Sequence, residues 1–194
     1  MYFFLTLSRF IDALNEKIGH GVSWALLLAV LICAGNAIIR YTFNMSSNSW
    51  LEIQWYLYGA VFFLGASYTL RRNEHVRIDV VAGRFSKRTQ VWIDVFGFSL
   101  FLLPVTLLIL YYAIPYALLS IQNQEYSSNS GGLIVWPAKL IIPVGFFLLT
   151  LQGFSELIKR IGYLMGRVDA SVFDKHAVTP EEEIAAIKAA NKIN

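Results

Sequence analysis

The sequence predicts an all-α integral membrane protein with four transmembrane helices and an amphipathic N-terminal helix on the membrane surface. Three observations predict it. Hydrophobic residues make up 56% of the chain and charged ones only 15%, against about 25% charged in soluble domains. The apolar residues gather into four stretches with little or no charge, 21–39, 53–70, 95–124 and 140–155. A helix needs about 20 such residues to cross a hydrocarbon core of roughly 30 Å. Lys and Arg, finally, collect on alternate connections between those stretches.

Within residues 1–20, Phe4, Leu7, Ile11, Leu14 and Ile18 recur at alternating spacings of three and four, one apolar helical stripe. Arg9, Asp12, Asn15 and Glu16 take other faces. The expectation is a helix lying on the membrane surface, separated from the first span by a break at Gly19 and Gly21. The transmembrane domain then occupies residues 21–165, with spans at about 21–40, 51–70, 91–120 and 136–157. Cys33, the single cysteine, lies inside the first span, which excludes an intramolecular disulfide and any multi-cysteine metal site. The third span is longer than a bilayer requires and carries Pro104 and Pro115 as kink points. The fourth reaches full length only with Trp136 to Lys139, where Lys139 extends to the interface. Residues 166–194 form a tail in which Thr179-Pro180-Glu181-Glu182-Glu183 has the cap, the proline and the acids of a short helix start.

The formal net charge is +3. In a soluble chain such a surplus suggests nucleic acid, but here the cations flank the spans and set topology. Arg9 and Lys17 precede the first span. Arg71, Arg72, Arg77, Arg84, Lys87 and Arg88 fill the connection between the second and third, and the chain after the fourth span has six more, Lys159, Arg160, Arg167, Lys175, Lys188 and Lys192. The opposite side has only Arg40 and Lys139. The positive-inside rule therefore places both termini in the cytoplasm.

Little in the residues points to catalysis, and the parts outside the spans are too small to form an enzyme. His20, His75 and His176 lie outside the apolar cores, so the paired histidines of a haem bundle are missing, and no phosphate-cradling or nucleophile motif appears. The central portions of the spans carry no charge of the kind that ion paths use. No cofactor is expected.

The segment 49–79 is the most informative. Trp50, Trp55, Tyr56 and Tyr58 form an aromatic belt at the outer end of the second span. Glu52 opens that helix in an apolar setting and is expected to pair either with Arg40 or with a partner protein. Gly59, Gly65, Ala66 and Ser67 allow a close helix approach. Arg71-Arg72-Asn73-Glu74-His75-Val76-Arg77-Ile78-Asp79 alternates in sign like a structured ion-pair turn.

Trp50-Leu51-Glu52, Tyr56-Leu57, Phe63-Leu64-Gly65-Ala66 and residues 71–79 together resemble the small membrane subunit of tripartite ATP-independent periplasmic (TRAP) transporters. A second match lies in Trp136-Pro137, Pro143-Val144-Gly145, Leu151-Gln152 and Glu156, and the likeness in layout covers about residues 10–165. It departs where many members carry two successive acids after the tryptophan, since Glu52 is followed by Ile53. The resemblance implies a scaffold that braces a large elevator-type transmembrane subunit. It also implies a periplasmic substrate-binding protein and sodium-coupled uptake of an organic acid. On that reading Arg40, Trp50, Glu52, Gly59, Gly65, Arg71, Arg72, His75, Arg77, Asp79, Trp136 and Gln152 serve structure or the partner interface. Glu125 and Tyr126, in a polar, flexible external loop, are candidates for docking the binding protein. The competing readings are a membrane-anchor or quinone-site subunit of an oxidoreductase, and a stand-alone structural membrane protein.

Overall fold

The computed structural model describes residues 2–45, 47–73, 85–169 and 172. They form four helices: α1 (Tyr2–Phe43), α2 (Asn48–Arg72), α3 (Lys87–Gln122) and α4 (Trp136–Leu164). Among the described residues three helices are long and apolar enough to cross a membrane, α1 from Phe3, α3 and α4. The second expected span, α2, falls outside that set although its 25 residues extend about 37 Å at 1.5 Å per residue. Gln54, Trp55, Tyr56, Tyr58 and Tyr68 dilute its apolarity.

α4 is the hub, packing against α1, α2 and α3, while α1 and α2 also pack together. Successive helices run in opposite directions. One end of the bundle therefore carries the connections 44–47 and 123–135, and is called the hairpin end here. The other end, the base, carries the start of α1 and the end of α4.

The expected break at Gly19 and Gly21 is absent, and α1 runs through as one helix of 42 residues. Gly19 serves close packing instead. A Cβ there would fall 2.3 Å from the Tyr68 ring, so only glycine lets α1 and α2 approach at this level. Nor do the polar residues of 1–20 form one wet face. Ser8 and Asn15 are buried, whereas Phe3, Phe4, Leu7 and Phe10 are exposed along with Arg9 and Lys17. Ser8, Ile11, Asp12, Asn15 and Gly19 lie at helical spacing on the face turned towards the bundle.

α3 contains one wide turn, Phe98–Leu102, where the Leu103 N–H reaches back five residues to the Phe98 carbonyl. It immediately precedes Pro104, which has no N–H to continue the ordinary ladder. Pro115 is accommodated within the helix. On α4, Gly145 lets the helix approach the α2 backbone itself, since a Cβ there would lie 2.7 Å from the Phe63 carbonyl oxygen. α4 ends at Gly166, whose φ of +68° lets the Arg167 N–H bond the Gly162 carbonyl. The expected tail helix after Thr179 lies outside the described residues.

Candidate functional site

Polar side chains concentrate at the two ends of the bundle. At the base, α4 presents Gln152, Ser155, Glu156 and Lys159, a spacing of three, four and seven that aligns them on one face. α1 answers with Ser8, Asp12 and Asn15, at four and seven, running the opposite way. The Ser8 and Ser155 hydroxyls bond at 2.7 Å. Asn15 Nδ2 donates to Gln152 Oε1 at 2.7 Å, and Gln152 Nε2 donates to both Asp12 and Glu156. Lys159 bridges Asp12, at 3.1 Å, and Glu156. Arg160 bonds the second Glu156 oxygen and, through Nε, Asp94 of α3 at 3.0 Å. Its guanidinium also lies 4.6 Å from the centre of the Phe98 ring, on the wide turn that brings α3 across.

Glu156, Lys159 and Arg160 are no more than 3% exposed. Burying charge is costly unless it is paired and bonded. Among the described residues three carboxylates here meet two cations, and each cation has two acidic partners on different helices or turns. Chemically the arrangement is a clamp joining α1, α3 and α4. Of its members the sequence points to Gln152 as an interface residue, and it places Asp12 and Asn15 off the apolar stripe of a surface helix. Lys159 and Arg160 are expected only as cations that set topology, and nothing in the sequence singles out Asp94. The signal that identifies the clamp is the pair of matching polar stripes on α1 and α4.

Beside it, Glu16 of α1 joins Arg71 and Arg72 at the end of α2. The Arg72 guanidinium also stacks 4.8 Å from the Tyr68 ring centre. Arg71 and Arg72 thus tie α2 to α1. Asn73, at φ +58°, ends α2 by donating to the Leu70 carbonyl. His75, Arg77 and Asp79 lie outside the described residues.

At the hairpin end the loop expected to be flexible is strapped down. Ser127 N–H bonds the Leu133 carbonyl, Val135 N–H bonds the Glu125 carbonyl, and Tyr126 faces Ile134 across an antiparallel bridge. Glu52 fastens this hairpin. Its carboxylate, 5% exposed, accepts from the Ser127 hydroxyl, from Asn129 Nδ2 at 2.9 Å and from the Leu133 N–H at 2.6 Å. Gly132 lies so close that a Cβ would sit 2.9 Å from Glu52 Oε1. Asn48 and Ser49 bond the Ser130 and Gly131 carbonyls, and the Tyr56 hydroxyl bonds the Ile134 carbonyl.

The expected Glu52–Arg40 pair is therefore not formed: the loop saturates the carboxylate, and Arg40 is exposed. Trp50 is exposed and Trp136 half-buried at the start of α4. Glu125 pairs with Lys139 at 2.5 Å. The bond from Lys139 holds its carboxyl below the usual range. Tyr126 is 68% exposed. Of the glycines expected at a partner interface, Gly65 instead faces α1, where a Cβ on it would lie 3.7 Å from Val22, whereas Gly59 faces open space.

No group of His, Cys, Asp and Glu among the described residues has the arrangement of a metal site. No curated protein and no solved structure matches the chain. The family model for the DctQ component of tripartite ATP-independent periplasmic transporters matches residues 12–162, from Asp12 of the clamp to just past Arg160. The chain belongs to this DctQ family, the small component of a multi-part membrane transporter and not an enzyme family.

Proposed function

We propose that the chain is the fixed scaffold of its transporter, bracing a larger elevator-type membrane subunit during sodium-coupled uptake of an organic acid delivered by a periplasmic binding protein. One observation carries this reading. The helices are locked at both ends, by the buried clamp at the base and by the Glu52 strap at the hairpin end, so the bundle is built as a rigid body. A scaffold must resist the load of a moving neighbour, and buried, satisfied polar networks rigidify a core.

The neighbour's binding face is α2. Trp55, Gly59 and Phe62 lie at i, i+4 and i+7. Trp55 is 69% and Phe62 72% exposed, and Gly59 is open. Small residues beside aromatic ones admit a second helix closely. Copurification of a much larger, very hydrophobic subunit is the deciding experiment. Gly59→Leu is expected to weaken that copurification while leaving the isolated chain folded. Retention of the subunit at the wild-type level would move the interface elsewhere.

We propose that α2 also spans, making four spans in a bacterial inner membrane with both termini cytoplasmic. Its length suffices for a core of roughly 30 Å, and it packs beside α1 and α4. In a Cys33→Ala background, Ser47→Cys and Ser128→Cys should react with an impermeant thiol reagent in intact spheroplasts, and Ser86→Cys should not. Labelling at position 86 alone would invert the topology.

The hairpin is then the external surface, and Tyr126 with Glu125 is its contact for the binding protein. An exposed aromatic anchor suits such a contact. Replacing both by Ala should raise the binding-protein concentration needed for half-maximal uptake without changing subunit assembly. An unchanged concentration dependence would assign docking to another surface.

A further inference from the structure

A groove of about 510 Å³ opens between the end of α1 and the start of α2, lined by Asn36, Arg40, Tyr41 and Gln54 above apolar Cys33 and Ala37. Two features set it apart from an ordinary crevice between helices. Gln54 is 6% exposed, and its buried Nε2 has no acceptor among the described residues. A buried donor left in this state is costly. Arg40 is exposed and forms no ion pair among the described residues. The groove thus collects donors, a guanidinium and side-chain amides, and no carboxylate lines it.

The occupant that completes these donors carries anionic acceptor oxygens. Below the groove, Leu26, Val30, Cys33 and Ala37 follow one another at i, i+4, i+7 and i+11, an exposed apolar stripe along α1. A ligand with an anionic head at Arg40 and apolar chains along that stripe satisfies both parts. The geometry points to a phospholipid site, with the phosphodiester held by Arg40 and Gln54 and an acyl chain laid along α1. Guanidinium matches phosphate in shape and charge. Arg40 stands in the last turn of a span-length helix, the level at which lipid head groups lie. A free anion would use the donors and leave the stripe without a role. The site requires only that α1 is embedded in a membrane, and it is independent of the bracing role.

The test is native mass spectrometry of the full chain in detergent, titrated with phosphatidylglycerol, with diacylglycerol of the same chains, and with inorganic phosphate. Wild type is expected to bind one phosphatidylglycerol that diacylglycerol does not replace and millimolar phosphate does not displace. Arg40→Gln removes a charge-assisted bond, and Gln54→Leu the buried donor. Each should weaken that adduct about tenfold, the equivalent of one such bond. The α-helical circular dichroism of both variants should match wild type, Arg40→Gln being the control at an exposed position. Equal binding of diacylglycerol would show that the head group is not recognised and overturn the proposal. Displacement by inorganic phosphate would assign the donors to a free anion and overturn the lipid source. An unchanged lipid adduct in Arg40→Gln, with loss of a copurifying membrane subunit, would assign the guanidinium to a partner carboxylate and likewise overturn it.

Discussion

Arg160→Met is expected to lower the thermal midpoint of the purified chain on the order of 10 °C. Arg160 is 1% exposed and is one of two cations that face Asp12, Asp94 and Glu156 among the described residues. Among those residues its removal leaves Lys159 facing three carboxylates. Breaking a buried pair by deleting one partner costs about 3–5 kcal/mol, because the remaining charge stays buried and uncompensated. Methionine keeps much of the aliphatic stem, so the loss reports charge more than volume. Glu156→Gln provides the internal contrast. It removes the shared carboxylate, but Lys159 keeps Asp12 and Arg160 keeps Asp94. Its effect should therefore be clearly smaller than that of Arg160→Met. Unfolding in detergent, followed by the loss of monomeric protein on size exclusion after heating, measures both. If Arg160→Met unfolds within a degree or two of wild type, the clamp does not hold the bundle together. If Glu156→Gln is the more damaging of the pair, the two cations depend on Glu156 and not on their outer partners.

The helices were legible in the sequence and the two sets of ties between them were not, for a physical reason. Each span is a local property, an uninterrupted apolar run of sufficient length, so α1, α3 and α4 stand where the runs stand. The clamp joins residues far apart in the chain, with Ser8 and Ser155 separated by 147 positions. Neither stripe alone says what it faces. Read singly, Asp12 and Asn15 look like the wet side of a surface helix, and only the stripe on α4 shows that they are a mating face. Gly19 misled in the same way. Glycine weakens an isolated helix, but between packed helices its missing Cβ is what the Tyr68 ring requires. Glu52 was recognised as a buried acid in need of a partner, and Arg40 was the nearest cation by chain position. Its actual partners include a backbone N–H, that of Leu133, and a backbone donor in a folded loop leaves no mark on residue identity.

Glu52→Gln should release the hairpin while leaving the helices in place. The carboxylate has two acceptor oxygens and no donor, and both oxygens are used: one by Ser127 and Asn129, the other by the Leu133 N–H. A glutamine amide keeps one acceptor and turns the other position into a donor. With its oxygen towards Leu133, the NH₂ can donate to the Ser127 hydroxyl oxygen but meets the Asn129 Nδ2 donor; with its oxygen towards Asn129, the NH₂ faces the Leu133 N–H. The strap loses its charge-assisted bonds and gains a donor–donor contact at one of these positions in a site that is 5% exposed. A hydrogen bond to a charged group contributes about 1.5–3 kcal/mol, so local opening should become about tenfold more frequent or greater. Hydrogen exchange followed on peptides covering 126–135 reads this directly, with faster exchange confined to those residues and unchanged protection in α4. Exchange at the wild-type rate would mean that the hairpin is held by Asn48, Ser49 and Tyr56 without the carboxylate. The same variant tests the scaffold role from a second side. A structural anchor at the external end should reduce the amount of assembled transporter, while the assembled fraction keeps its normal dependence of uptake on sodium. Intact assembly with an altered sodium dependence would place Glu52 in the coupling machinery, and this chain would then be more than a brace.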